Sequence, residues 1–402
     1  MSSPAVVASP GDRESILQRI RRLPPWVESL VIYGASRLFS TALLGAMFVV
    51  ATTQGWEFAS YRADPTFFTF SGSWDASFYK RIAEDGYPTT LPLDDAGGVL
   101  PNPWAFLPVF PYLVKSVMML TSLPFYPVAV VLAALFGAGA SIALNALVRA
   151  VATVQQARWA TLFFCFGPLA FLLQVAYAES LYLLLVFASL YLLVKRHYVL
   201  FIPIAVAASY TRPGALALAL ALGVHLVIRW FSKEPFPWRD RLAIVAGGII
   251  VSAAGLSWTL IATLVTGHPD AYLETELSWW DNLVGEQSFA PFTPWFTLAG
   301  RYLGIAGIVL VVLLVGGFAL WLSRKSVRSL GTDLQAFAGS YALYLFAVFL
   351  PQQSTFRILL PLSPLLAAPT FTATAKRRWI VLVAGLVLQP LVIVLLWYRD
   401  FP

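Results

Sequence analysis

A chain of 402 residues in which 59% are hydrophobic and only 12% charged stands apart from soluble domains, where about 25% of residues carry charge. With a mean hydropathy of +0.74, it excludes a water-soluble globular enzyme and a nucleic-acid reader built on a basic soluble face. The net charge of +7 resides in short basic clusters between apolar runs, the distribution expected of cytoplasmic turns in a multi-pass membrane protein.

The first 29 residues are polar and basic, with Arg19, Arg21 and Arg22 ahead of the first apolar run and no apolar core followed by a small-residue cleavage site. They read as a cytoplasmic segment, 1–29, leading into one integral-membrane domain, 30–402. Helical spans need ~20 apolar residues to cross ~30 Å of hydrocarbon. Such runs recur at 30–53, 158–176, 178–195, 211–231, 241–266, 297–323, 332–350, 356–373 and 378–397.

Further basic clusters stand at 195–197, at Arg229, Lys233, Arg239 and Arg241, at 323–328 and at 376–378. Placed inside, they leave outside the first loop at 54–103, the Tyr177–Ser180 turn, Ser209–Gly214, a second large loop at 267–296, and Pro351–Arg357. Residues 104–157 must bring the chain back near Arg149 and Arg158. Two arrangements do so: a surface or re-entrant segment at 104–122 followed by one span, or three short helices broken near Leu123-Pro124 and Gly137–Gly139. With a short helix at 198–208, the expectation is about 11 to 13 spans. The single Cys165 precludes an intramolecular disulfide, and three histidines argue against a His-based metal site.

Four segments are chemically out of place in so apolar a chain. In SGSWDASFYKRIAEDGYP, residues 71–88, Trp74, Phe78 and Ile82 recur every four residues, and Asp75, Lys80, Arg81, Glu84 and Asp85 occupy other faces. This spacing predicts a surface helix lying on the outer leaflet on its apolar stripe, ended at Gly86-Tyr87-Pro88. Glu179 sits between two strongly apolar runs, one turn after Gln174 and Tyr177. It either caps a helix in reach of water or faces a cavity, where a carboxylate at membrane depth needs a partner or a role. Arg212 in SYTRPGALAL and Arg357 in PQQSTFRILLPLSP are arginines on the outer side, against the inside bias. Each is placed to snorkel or to bind phosphate.

These segments also resemble a known family. Trp74-Asp75-Ala76, Phe78, Ile82-Ala83-Glu84 and Gly86-Tyr87, followed by AFLPVFP at 105–111, are similar to the first-loop signature of the GPI mannosyltransferase II family and its bacterial relatives. AYAESLY at 176–182 is similar to the family's A-Y-S-E-S/A-L-F segment. SYTRPGAL stands in the place of its R-S-N-G segment, with Pro213-Gly214 after Arg212 and the Asn missing, and FRILLP at 356–361 loosely resembles an Arg-x-Leu-x-x-x-Pro neighbourhood. The resemblance covers roughly residues 68 to 220.

The resemblance implies an all-α polytopic membrane protein of the GT-C glycosyltransferase fold, with juxtamembrane helices in its extracytoplasmic first loop, here in a bacterial plasma membrane. It implies a polyprenyl-phosphate sugar donor, usually polyprenyl-phosphate-mannose, and a glycolipid or lipid-linked glycan acceptor among the membrane lipids. No nucleic acid is implied, and neither a required metal nor a further cofactor. Transfer from a phosphate leaving group needs a base and cations rather than the two carboxylates of a glycosidase. Asp75 is the expected catalytic base. Glu179 would orient a sugar or hold Asp75, and Arg212 and Arg357 would bind the lipid phosphate, with Lys80 and Arg81 as secondary candidates. Trp74, Tyr79, Tyr87 and Trp104 would stack on sugar faces or form an interfacial belt, and Tyr177, His268 and Asp270 complete the substrate-binding candidates. Two other classes stay open: a lipid or solute transporter, whose site belongs near the bilayer midplane, and a non-catalytic subunit of a glycan-assembly complex in which Asp75 and Glu179 are structural caps.

Overall fold

In hydrocarbon a backbone must satisfy its own polar groups, so an apolar chain of this kind folds as helices. The computed structural model describes residues 24–56, 65–285 and 287–399. Arg19, Arg21 and Arg22 lie outside the described residues, as does part of the first loop, 57–64. Among the described residues there is no strand, only an isolated bridge between Leu93 and Val99.

The principal helices are α1 Pro25–Thr53, α2 Ala76–Glu84, α3 Val109–Thr121, α4 Phe125–Val151, α5 Val154–Phe166, α6 Glu179–Val194, α7 Tyr198–Ser209, α8 Leu216–Phe231, α9 Trp238–Thr266, α10 Ala271–Leu277, α11 Pro294–Leu322, α12 Thr332–Val348 and α13 Ala375–Ile393. Five of them, α1, α4, α9, α11 and α13 with its continuation to Trp397, are each long and apolar enough to cross a membrane. The shorter apolar helices α3, α6, α7 and α8 and several broken segments make up the rest.

Residues 104–157 adopt the first of the two expected arrangements. α3 has 13 residues, too few to cross at 1.5 Å per residue, and α4 is one helix of 27 residues. Leu123-Pro124 forms the break between them. Gly137–Gly139 stay inside α4, where a side chain on Gly137 would collide with the Tyr33 hydroxyl.

Two expected continuous spans are broken. The run at 158–176 ends as a helix at Phe166, because Gly167 and Pro168 stop it, and continues as a 3₁₀ turn at Ala170–Gln174. The carbonyls freed there are claimed by Arg37 of α1, whose Nη1 donates to the Ala170 carbonyl at 2.7 Å and to Gln174 Oε1 at 3.1 Å, and whose Nη2 donates to the Cys165 carbonyl at 3.3 Å. The Tyr33 hydroxyl donates to the Leu173 carbonyl at 3.0 Å. The run at 356–373 contains Pro361, Pro364 and Pro369 and folds as Thr355–Ile358, a 3₁₀ segment Leu360–Ala367 and Pro369–Thr372, packed on α5.

Polar contacts tie the basic turns together at one end of the bundle. Glu28 at the start of α1 pairs with Arg149 at the end of α4, at 2.8 Å, and with Arg158 near the start of α5. Arg196 and Arg229 share Glu234. Asp333 at the start of α12 meets His225 of α8 at 2.6 Å, and Thr370 donates to Ser326. Because successive helices run up and down, the other turns, which carry residues 71–88, 176–180, 210–215 and 351–358, gather at the opposite end.

Substituting Arg37→Met keeps an unbranched apolar stem and removes the donors. Each buried carbonyl left unpaired costs roughly 1–3 kcal/mol, so the thermal unfolding midpoint of the detergent-solubilised protein should fall by several degrees. An unchanged midpoint would mean that the break at Gly167 is satisfied in another way.

Candidate active site

The first element of the site is a tight turn. Thr66 and Thr69 cap the short helix Phe67–Phe70 reciprocally, the Ser73 hydroxyl donates to the Phe70 carbonyl at 2.8 Å, and Trp74 takes a left-handed backbone with φ +58. A bulky residue in that region costs of order 1–3 kcal/mol and persists only where its surroundings enforce it. The C-terminal helix supplies the enforcement. Trp74 Nε1 donates to the Trp397 carbonyl at 3.0 Å, and Trp397 Nε1 donates back to the Phe70 carbonyl at 3.1 Å.

This turn decides where Asp75 points. Asp75 is the N-cap of α2 but makes no side-chain cap, because the amides of Ala76, Ser77 and Phe78 already bond to the carbonyls of Ser73, Trp74 and Asp75. Its carboxylate is therefore free to pair with Arg357, whose Nη1 lies 2.6 Å from Asp75 Oδ2.

Glu179 is the first residue of α6, where the helix dipole favours a negative charge. Its Oε1 accepts from Arg212 Nη1 at 2.6 Å and lies 3.4 Å from Arg357 Nη1. Arg212 sits on the turn before α8. That turn closes at Gly214, with φ +104, against the rings of Tyr182, Tyr341 and Tyr344, at distances that leave little room for a β-carbon. Arg357 projects from Thr355–Ile358, its guanidinium carbon 5.4 Å above the Tyr177 ring. The Tyr177 hydroxyl donates to the Ser73 carbonyl at 3.2 Å.

Backbone bonds join the same segments. The Ala176 amide donates to the Ser71 carbonyl, and the Val109 amide in AFLPVFP donates to the Tyr210 carbonyl, beside Arg212. The result is a chain of charges, Asp75, Arg357, Glu179 and Arg212, formally neutral and assembled from all four segments that looked out of place. Asp75, Glu179 and Arg357 are 8%, 3% and 8% exposed. Glu179 Oε2, the Tyr182 hydroxyl and both Nε and Nη1 of Arg357 are buried without a hydrogen-bond partner, so Arg357 meets Asp75 and Glu179 as an ion pair outside hydrogen-bond geometry. The cavity enclosed beside Glu179, Tyr182, Arg212, Tyr341 and Arg357 is only ≈ 10 Å³. A larger opening of ≈ 530 Å³, lined by Arg324, Ser326, Thr370 and Arg377 among others, shares no residue with this cavity. No group of three or more His, Cys, Asp or Glu side chains is arranged to hold a metal ion among the described residues.

Other residues named from the sequence hold different partners, although Tyr79 stands within electrostatic reach of all four charges. Lys80 is half-exposed and paired with Glu84. Arg81 is exposed and lies over the Phe78 ring, and His268 is half-exposed beside the Pro269 carbonyl and Glu274. Tyr79 and Trp104 are 2% and 1% exposed and cannot stack on a sugar. Tyr79 packs on Phe106 and Phe110, and Trp104 packs among Tyr87 and Trp258. The apolar face of α2 is seated on these protein aromatics rather than on lipid: Ile82 is fully buried and Phe78 stacks on Phe106 at 4.8 Å. The reason is that residues 86–108 fold back beneath the helix.

One participant escaped the sequence reading. Glu276 of α10, half-buried in the second large loop, stands within electrostatic reach of Arg212 and Asp75. Burial pushes its carboxyl up to about 7, opposed by a hydrogen bond with Tyr272 and by Arg212 and reinforced by Asp75. Loop 267–296 holds several acids, and nothing in their spacing distinguishes this one.

An unfolded glutamate titrates near about 4.3, so the folded protein holds the extra proton between that value and the raised one. The charged form is the penalised form, and stability contributed by Glu276 falls as pH rises through this window. Glu276→Gln removes the slope. The midpoint of the variant relative to wild type should therefore be higher at about pH 8 than at about pH 5; an equal difference at both would mean that Glu276 does not titrate in this window.

Residues 53–231 match the model of the family described as mannosyltransferase (PIG-V). No curated protein matches the chain. Among solved structures, the chain is similar to the Archaeoglobus fulgidus oligosaccharyltransferase in its complex with Zn and sulfate, at 13% identity and a TM-score of 0.48. That match covers 92% of this chain and 53% of the other, so the chain spans about half the length of that protein. Asp75, Glu179 and Arg212 all lie within the residues that match the mannosyltransferase (PIG-V) family model.

Proposed function

We propose that the protein is a membrane glycosyltransferase of the GT-C type that moves mannose from polyprenyl-phosphate-mannose to a hydroxyl of a glycolipid or lipid-linked glycan. The observation that carries this reading is the convergence of two guanidiniums and two carboxylates, from segments far apart in sequence, at one end of the helical bundle. The family match over 53–231 supports sugar transfer. The basic turns collected at the opposite end support an extracytoplasmic site, in keeping with the inside bias of Lys and Arg, here in a bacterial plasma membrane.

In this reading Arg212 and Arg357 hold the phosphate of the donor. Guanidiniums are suited to this because they stay charged and offer paired N–H donors. Asp75 accepts the proton of the acceptor hydroxyl as its oxygen attacks the anomeric carbon. The bond from that carbon to the phosphate oxygen breaks with its electron pair on the phosphate, and polyprenyl phosphate leaves. The leaving oxygen already belongs to an ionised phosphate, so no general acid is needed and two cations offset its growing charge. A single displacement inverts the centre, so a β-linked donor gives an α-linked product. Glu179, through Oε2, would accept a hydrogen bond from a sugar hydroxyl. No metal ion takes part in the proposed step.

The test uses purified protein in nanodiscs, radiolabelled polyprenyl-phosphate-mannose and a membrane lipid extract. Wild type should form an α-linked labelled lipid in the presence of EDTA. Asp75→Asn, with its melting midpoint retained, should lose transfer by roughly 10²–10⁴-fold, the usual contribution of a positioned base. Equal transfer by both proteins would remove Asp75 from the mechanism, and loss with EDTA alone would bring in a metal.

A further inference from the structure

The charge network closes on itself, and this has a mechanistic consequence. Both arginines proposed to hold the donor phosphate are occupied by the enzyme's own carboxylates: Arg357 by Asp75 at 2.6 Å, and Arg212 by Glu179 at 2.6 Å. The carboxylate proposed as the base is thereby engaged, since protonating Asp75 in this arrangement would forfeit its ion pair and leave a buried guanidinium alone, a costly outcome at low dielectric. The ≈ 10 Å³ of free space beside Glu179, Arg212 and Arg357 holds about one water molecule. A phosphate group does not fit until something moves.

The architecture separates what can move from what cannot. Both carboxylates stand at the start of helices with packed flanks: Asp75 heads α2, whose Ala76, Tyr79 and Ile82 are buried, and Glu179 heads α6 next to the buried Ser180 and Leu181. Both arginines stand on irregular segments, Arg212 on the turn Thr211–Ala215 and Arg357 on the short helix Thr355–Ile358 after the turn at Pro351–Ser354. Arg357 also has a buried Nε without a partner, and so has the neighbouring Tyr182 hydroxyl. These are two further donors that phosphate oxygens can accept from.

We infer that the donor phosphate displaces Asp75 from Arg357, so that donor binding itself releases the base, and that the reaction is ordered with the donor bound before the acceptor is deprotonated. The inference rests on the glycosyltransferase reading above and deepens it. In the closed network the enzyme has no free base and so does not activate water or acceptor hydroxyls when no donor is present. Entry of the phosphate exchanges one anionic partner of Arg357 for another, so the arginine stays paired while Asp75 becomes available. Glu179 keeps Arg212 oriented and turns its unpartnered Oε2 to the sugar.

The experiment measures equilibrium binding of a short-chain polyprenyl phosphate, without sugar, to the full-length protein in nanodiscs of zwitterionic lipid. Three proteins are compared: wild type, Asp75→Asn and Arg357→Met. Asp75→Asn removes the charge that competes with phosphate for Arg357 at low dielectric, so it should bind at least about tenfold more tightly than wild type. Arg357→Met should bind at least about tenfold more weakly. Glu179→Gln, which frees both guanidiniums from Oε1, is the second variant should Asp75→Asn fail to fold, and it too should bind more tightly. Binding to Asp75→Asn that is equal to or weaker than wild type, while Arg357→Met loses affinity, would overturn the displacement and leave the glycosyltransferase reading standing. Binding no greater than to empty nanodiscs, for wild type and Asp75→Asn alike, would overturn both.

Discussion

The pairing of Asp75 with Arg357 is the constraint on which the rest of this structure depends. Two charges that are each 8% exposed in a bundle of apolar helices are tolerated only as partners, since a single buried ion costs several kcal/mol even after relaxation. The pair therefore ties the first loop to the segment after α12, and Glu179 and Arg212 extend the tie to the starts of α6 and α8. The aromatic residues around it serve the same end. Trp397 holds the strained turn at Trp74, Tyr177 lies under Arg357, and Phe106 seats α2.

The same rule, that polar groups in an apolar medium must be partnered, accounts for the irregular parts of the bundle. Gly167-Pro168 interrupts what composition alone presents as one span, and Arg37 compensates from α1. Such breaks let the chain place turns, rather than helix flanks, beside the site. They also divide the labour between the ends of the molecule: the basic turns, with Glu28 and Glu234 as counter-charges, form one end, and the charge network forms the other.

Much of this was legible in the sequence. Hydropathy located four of the five long helices and left α4 between two arrangements, the basic clusters marked one set of turns, and Asp75, Glu179, Arg212 and Arg357 stood out as charges where none were expected. Their mutual contact was not legible, because residues from four turns meet only through the packing of the helices between them. Lys80 and Arg81 show how a motif misleads. They share the charged stretch with Asp75, but five and six positions along a helix lie on another face, whereas Tyr79 and Ile82 share its own. The interfacial seating expected of α2 failed for a related reason: its apolar stripe faced the aromatic residues of 104–110, which no periodicity within the helix reveals. Glu276 was lost among the acids of its loop, and only the fold brings it near Arg212 and Asp75.

The most direct test of the central claim, that this charge network is where a lipid-linked phosphate is held for transfer, is an experimental structure with an unreactive polyprenyl-phosphate sugar analogue bound. The account predicts phosphate oxygens within about 3 Å of the Arg212 and Arg357 guanidiniums, the sugar beside Glu179, and Asp75 no longer bonded to Arg357. A phosphate bound elsewhere, at the Arg324 and Arg377 opening or along the exposed face of α2, with the Asp75–Arg357 pair intact, would contradict it.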